Sequence, residues 1–280
     1  MTMTFESSVP EVRLNNDVRI PQLGFGVFKV PEPETAAAVT TALESGYRSI
    51  DTAAVYGNET AVGAALAKSD VPRDEIFVTT KLWNDSQGYD AALAGFDESL
   101  ARLGLDYVDL YLIHWPAPAK DLYLDTWRAF EKLYADERVR AIGVSNFQPA
   151  HLRRLLEHTG VVPVLNQIEL HPYLQQEELR ALHAEHGIAT EAWSPIARGG
   201  ALLQDPVITS IAARHGRTPA QVVLRWHIQV GNIVIPKSVT PSRVQENIDI
   251  FDFSLTAEDL SAVTTLDNGT RTGPNPDTFN

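Results

Sequence analysis

The chain has no cysteine among its 280 residues, which excludes disulfides, thiolate nucleophiles and Cys-ligated zinc. It is also short of cations: 23 Lys and Arg against 36 Asp and Glu leave a formal net charge of -13. So acidic a surface argues against nucleic acid or an anionic membrane as partner. No run approaches the roughly 20 apolar residues of a membrane helix. The opening Met1-Thr2-Met3-Thr4-Phe5-Glu6 has no basic region followed by an apolar one, so no signal peptide is expected. No Pro/Gly/Ser linker or low-complexity tract divides the sequence. Residues 1–280 are therefore expected to form a single domain, in a monomeric cytoplasmic protein. The length suits one large α/β barrel or two ordinary domains.

What is present is regular alternation. Val12-Arg13-Leu14 and Val18-Arg19-Ile20 flank Asn15-Asn16-Asp17, a β-hairpin pattern. Strand-like runs follow at 23–26, 48–51, 76–81, 108–114, 140–145, 164–167, 189–193 and 232–236. Helix-period segments lie between them, among them 34–44, 61–68, 91–103, 125–135, 149–158, 177–186 and 219–229. Eight strand–helix units predict an α/β protein built as a (β/α)₈ TIM barrel with an N-terminal hairpin and a short C-terminal tail. A doubly wound sheet alternates likewise, but its glycine fingerprint is missing. Gly24-Phe25-Gly26-Val27-Phe28-Lys29 lacks the third glycine, and the next helix starts too late.

In such a barrel the active site gathers at the C-terminal ends of the strands. Asp51, Lys81 and His114 each close a strand run, and Tyr56 follows Asp51 by five residues. A Tyr hydroxyl, with an ordinary pKa of about 10, is a poor proton donor at neutral pH. A neighbouring ammonium favours the phenolate and so makes the phenol a better acid. Lys81 can do this for Tyr56, and Asp51 can hold Lys81 charged and oriented. His114 can donate a hydrogen bond to a substrate oxygen. Each has a plainer reading: Asp51 as a cap, Lys81 as an ordinary ion pair, His114 as a core residue. As a set they suit protonation of a carbonyl oxygen while a nicotinamide hydride attacks the carbon.

A second cluster follows the eighth strand run. Thr240 fits the N-cap and Pro241 the first position of a helix, which places Arg243 in its first turn. With Lys237 and Ser238 this helix N-terminus forms an anion site, and Glu246 and Asn247 share the face of Arg243. An ordinary capped helix with surface cations is the alternative.

Gly46-Tyr47-Arg48-Ser49-Ile50-Asp51-Thr52-Ala53 with Tyr56, Glu59 and Gly63 resembles the first signature of the aldo-keto reductases. Thr80-Lys81-Leu82-Trp83 and Ile113-His114-Trp115-Pro116 resemble the next two active-site segments of that family. The bacterial 2,5-diketo-gluconate reductase branch is the most similar. The resemblance implies Tyr56 as general acid, Lys81 and Asp51 as its tuners, and His114 as the residue that orients the carbonyl. It implies that Lys237, Ser238, Arg243, Glu246 and Asn247 hold the adenosine 2′-phosphate and adenine of NADPH. Ser145, Asn146 and Gln167 match residues that bond the nicotinamide carboxamide. Trp193 matches the ring stacked on the nicotinamide, and Ser194 and Ile196 match the pyrophosphate contacts. Phe28, Trp83 and Trp115 are implied as walls of the substrate cleft. Only 13 residues follow the last helical stretch, so an open, permissive cleft is expected.

His183 and His186 lie among acidic residues, but no HExxH and no third ligand accompany them, so no metal is expected. His151, His158, His215 and His227 read as surface or packing residues. The functional expectation is NADPH-dependent reduction of a small-molecule aldehyde or ketone (a dicarbonyl, keto sugar or sugar acid) to an alcohol. The alternative is an NADPH-binding redox-sensing module with little turnover. A metal-dependent barrel hydrolase needs carboxylate or His ligands where Lys81 and Tyr56 stand.

Overall fold

The structure, a computed structural model, describes residues 9–280. The segment Met1–Glu6 discussed above lies outside the described residues. Eight parallel strands form one sheet: β3 (Phe25–Gly26), β4 (Ser49–Asp51), β5 (Phe77–Leu82), β6 (Val108–Ile113), β7 (Val139–Ser145), β8 (Leu165–Glu169), β9 (Ala189–Trp193) and β10 (Ile233–Val234). They neighbour one another in chain order. The sheet closes on itself where Leu23 bridges Val234: Gly24 N donates to Val234 O at 2.8 Å and Gly26 N to Pro236 O at 3.1 Å. The expected (β/α)₈ barrel is therefore present.

Every residue of β5 and β6 is buried, as parallel strands covered on both faces require. β9 matches its predicted run, and the ends of the other strands depart by at most two residues, because a strand ends where its ladder ends rather than where hydrophobicity fades. Helices α1 (Glu32–Glu44), α2 (Glu59–Lys68), α3 (Tyr89–Leu103), α4 (Tyr123–Ala135), α5 (Pro149–His158) and α6 (Glu177–His186) cover the outside. Trp127, Phe96, Tyr111 and Phe130 fill the layer between helices and sheet. After β9 the chain adds α7 (Pro206–His215) before α8 (Pro219–Gln229), a helix that a one-helix-per-strand reading leaves out. Its local signal is Asp205 before Pro206: the Asp205 carboxylate accepts from Val207 N at 2.8 Å. α9 (Pro241–Ile248) and α10 (Ala257–Thr264) complete the ring.

The predicted hairpin pairs β1 (Glu11–Arg13) with β2 (Arg19–Pro21). Its Leu14 and Ile20 join Phe77, Leu110, Leu112, Leu165 and Ile233 in an apolar plug at the N-terminal end of the barrel. With that end plugged, the cavity described below opens at the opposite one.

Gly63 on α2 faces the end of α3 so closely that an added Cβ would lie 2.0 Å from the Leu103 carbonyl oxygen. Gly63→Ala should therefore destabilise the fold by about 2 kcal/mol in urea unfolding, because overpacking outweighs the helix-propensity gain of roughly 1 kcal/mol.

Candidate active site

Asp51 ends β4, Lys81 is the penultimate residue of β5, His114 follows β6, and Tyr56 ends a 3₁₀ turn, Ala54–Tyr56, above β4. The barrel brings all four to one floor. Lys81 is fully buried and donates to Asp51 Oδ1 at 2.6 Å, to the Thr52 carbonyl at 2.9 Å and to Tyr56 Oη at 3.4 Å. Lys81 thus makes the plain ion pair and also reaches the Tyr56 hydroxyl, and Asp51 is spent on the pair rather than on a cap. Asp51 Oδ2 also accepts from Gln167 Nε2 at 2.8 Å, and the same nitrogen donates to Glu191 Oε2 at 2.7 Å. Both amide hydrogens of Gln167 are then engaged, which leaves its side-chain oxygen as acceptor for a ligand.

The electrostatics correct one expectation. Burial pushes the Tyr56 phenol above its ordinary pKa; Lys81 pulls it down, but Asp51 and Glu191 add to the rise. The resting phenol is a weaker acid than free tyrosine and holds its proton throughout the neutral range. Lys81 is also raised: burial opposes its charge, and Asp51 and Tyr56 more than restore it. An ammonium beside the Tyr56 hydroxyl is thus secure, and negative charge on that oxygen would fall next to it. His114 is held well below the usual histidine range by burial and by Lys81, so its ring is neutral. Its Nδ1 is buried without a protein partner among the described residues. The His114 ring meets Tyr56 and Trp83 edge-on, at 5.6 and 5.3 Å between centroids.

A cavity of 1060 Å³ opens over this floor, lined by every predicted site residue except the buried Lys81. Asn146, at a left-handed φ of 63, donates from Nδ2 to the His114 carbonyl at 2.9 Å. Its Oδ1 accepts from the Trp193 indole at 2.8 Å, which fixes the plane of that ring. Ser145 Oγ donates to the Gln167 backbone carbonyl at 2.8 Å. Ser194, Ala197 and Arg198 carry positive φ as the chain winds along the cavity past Ile196. At the far end α9 begins as predicted at Pro241, but Thr240 makes no side-chain cap; the Ser238 hydroxyl accepts from Thr240 N at 3.1 Å instead. Glu246 is occupied by the Thr218 hydroxyl at 2.7 Å, and Asn247 is buried beside it.

Among the described residues four cations line this cavity, Lys29 and Arg198 besides the predicted Lys237 and Arg243, against two carboxylates, Asp51 and Glu246, that already have partners. In a chain of net charge -13 that concentration suits an anionic ligand. Nothing in sequence position signalled Lys29 or Arg198, since each stands in a loop whose course the barrel sets.

Phe28, Trp83 and Trp115 wall the other end, with Phe28 centred 5.0 Å from Tyr56. The tail revises the expectation of an open cleft. Thr272 Oγ and Gly273 N donate to the buried Glu169 carboxylate at 2.6 and 3.2 Å. Gly273 crosses so close to Trp193 that a Cβ would meet its ring at 2.4 Å. Phe279 then packs 4.6 Å from Trp115 and 6.2 Å from Trp83. Thirteen residues suffice to place an aromatic side chain at the mouth.

The remaining histidines serve packing or surface contacts: His183 lies between Asn166 and Thr190, and His227 bonds the Pro195 carbonyl. No cluster of three or more metal-ligating side chains occurs among the described residues. No helix among them is long and apolar enough to cross a membrane.

Comparison with known proteins places the chain in a family. The model of the Aldo/keto reductase family matches residues 22–268. An aldo-keto reductase of Mycolicibacterium smegmatis is 59% identical over 271 residues, covering 97% of this chain and 98% of that protein. Methylglyoxal reductase DkgA of Yersinia pestis is 52% identical, covering 96% and 97%. A mutant of Gox0644 solved in complex with NADPH superposes with a TM-score of 0.94 at 48% identity, covering 98% and 99%. These likenesses run along nearly the whole chain, which belongs to the aldo/keto reductase family.

Proposed function

We propose that this protein reduces aldehydes and ketones to alcohols with NADPH, that dicarbonyls, keto sugars and sugar acids are among its substrates, and that Tyr56 is the general acid. The observation that carries the reading is the chain Asp51–Lys81–Tyr56, which ends beside a neutral His114 on the floor of a cation-lined cavity. The dicarbonyl assignment draws on the likeness to methylglyoxal reductase DkgA.

The groove fits the cofactor on its own chemistry. Arg243, Lys237 and Ser238 at the start of α9 suit a phosphate. The immobilised Trp193 ring suits a flat heterocycle, and the free oxygen of Gln167 suits an amide donor. Bound there, NADPH supplies hydride to the carbonyl carbon. The protein's residues handle the oxygen. His114, neutral, donates a hydrogen bond that orients the carbonyl. Tyr56 gives up its hydroxyl proton as negative charge grows on that oxygen, and Lys81 meets the phenolate that remains. Solvent returns the proton after product leaves. Phe28, Trp83, Trp115 and Phe279 exclude water from the carbonyl and present an apolar wall to the substrate.

The test is turnover with a dicarbonyl such as methylglyoxal, run with NADPH and with NADH. Preference for NADPH is expected. Arg243→Ala should weaken NADPH binding by about tenfold and leave NADH binding nearly unchanged, as read from quenching of Trp fluorescence. Tight NADPH binding with no turnover on any carbonyl would favour a redox-sensing module.

A further inference from the structure

Glu191 is a carboxylate in the interior of the barrel that the reaction as described does not use. It sits in mid-β9, directly paired with Gln167 of β8, and its side chain is buried. Its one protein partner among the hydrogen bonds of the described residues is Gln167 Nε2, at 2.7 Å. From there the contacts run without a gap to the reacting hydroxyl: Gln167 to Asp51 at 2.8 Å, Asp51 to Lys81 at 2.6 Å, Lys81 to Tyr56 at 3.4 Å. A buried carboxylate without a cation of its own is costly to keep ionised. Here two carboxylates, Asp51 and Glu191, share one ammonium, Lys81.

We propose that Glu191 is a positioning residue of the catalytic cluster: through Gln167 and Asp51 it sets the charge balance of the Lys81–Tyr56 pair and makes proton donation by Tyr56 respond to pH. The proposal rests on the reading of Tyr56 as the general acid. The groups facing Glu191 are Asp51 from β4, Lys81 from β5, the amide of Gln167 from β8 and, beyond Lys81, Tyr56 and the neutral His114; its partner on β10 is Ile233. Burial and then Asp51 push the Glu191 carboxyl up to about 8, against the pull of Gln167 and Lys81. Near neutrality it is therefore largely protonated, and Asp51 alone balances Lys81. As pH rises it ionises and adds a negative charge that raises the proton affinity of both Lys81 and Tyr56. Tyr56 then stays protonated, and able to donate, to a higher pH than it would otherwise.

The effect has a sign that removal of the charge reverses. In Glu191→Gln the alkaline loss of carbonyl reduction should move down by about one pH unit, because Tyr56 ionises earlier. Glu191→Asp restores the charge and should return the profile towards wild type. A second readout needs no turnover. A carboxyl whose folded pKa lies above its ordinary 4.5 contributes stability below that value and loses it as pH rises through about 8. The melting temperature of the wild type should therefore fall relative to Glu191→Gln across that window, and the gap should level off above it. A folded Glu191→Gln protein with the wild-type alkaline limb and the wild-type dependence of melting on pH would overturn the proposal. Full turnover by Tyr56→Phe would instead remove the acid on which the proposal rests, while the melting comparison would still report whether Glu191 titrates in the cluster.

Discussion

Tyr56→Phe is expected to lower kcat for carbonyl reduction by roughly 10³-fold, the range that a positioned general acid contributes. The substitution removes only the hydroxyl. The ring keeps its contact with Phe28 and its place beneath the Lys81 ammonium, 5.1 Å from the ring centre. Lys81 retains Asp51 and the Thr52 carbonyl as acceptors, so no buried charge is stranded and thermal stability should hardly change. NADPH affinity should also hold, because the hydroxyl belongs to the carbonyl end of the cavity. The loss should therefore fall on the chemical step, with kcat and kcat/KM reduced together. Steady-state kinetics alongside cofactor titration by fluorescence checks each part.

Lys81→Met is expected to damage both activity and the fold. It leaves Asp51 buried with Gln167 as its remaining donor. Breaking a buried ion pair from one side costs about 3–5 kcal/mol, a large share of the 5–15 kcal/mol that typically holds a folded protein together. Asp51→Asn added to Lys81→Met removes the stranded charge while keeping an acceptor for Gln167. The double variant should regain most of the stability and none of the activity. Urea unfolding of the two single variants and the double variant at matched pH measures the coupling directly. Equal instability of the Lys81→Met and double variants would mean that packing, not charge, holds this floor.

The parts legible in the sequence were those governed by local pattern. Runs such as those of β5 and β6, rich in apolar and β-branched residues and ended by Lys81 and His114, announced buried parallel strands with polar ends. Asp51, Tyr56, Lys81 and His114 could be grouped because a barrel turns strand ends into neighbours. Glu191 could not be. It lies within Ala189–Trp193, and only the register that pairs it with Gln167 shows that it faces the catalytic cluster. For the same reason sequence reasoning assigned Lys81 the dominant influence on Tyr56 and left out the burial and the second carboxylate that raise its proton affinity. The tail over the cleft was illegible too, since its anchor, Glu169, lies 103 residues before Thr272 in the chain. Tail length alone said nothing of where Phe279 would rest.

The most direct test of the account uses NADPH carrying deuterium at both positions of the nicotinamide C4 and methylglyoxal as substrate, with the alcohol product examined by mass spectrometry. Transfer of one deuterium to the carbinol carbon by the wild type, and its near-absence with Tyr56→Phe, is the predicted result. An unlabelled alcohol, or labelled alcohol formed equally well by Tyr56→Phe, would contradict hydride transfer assisted by Tyr56.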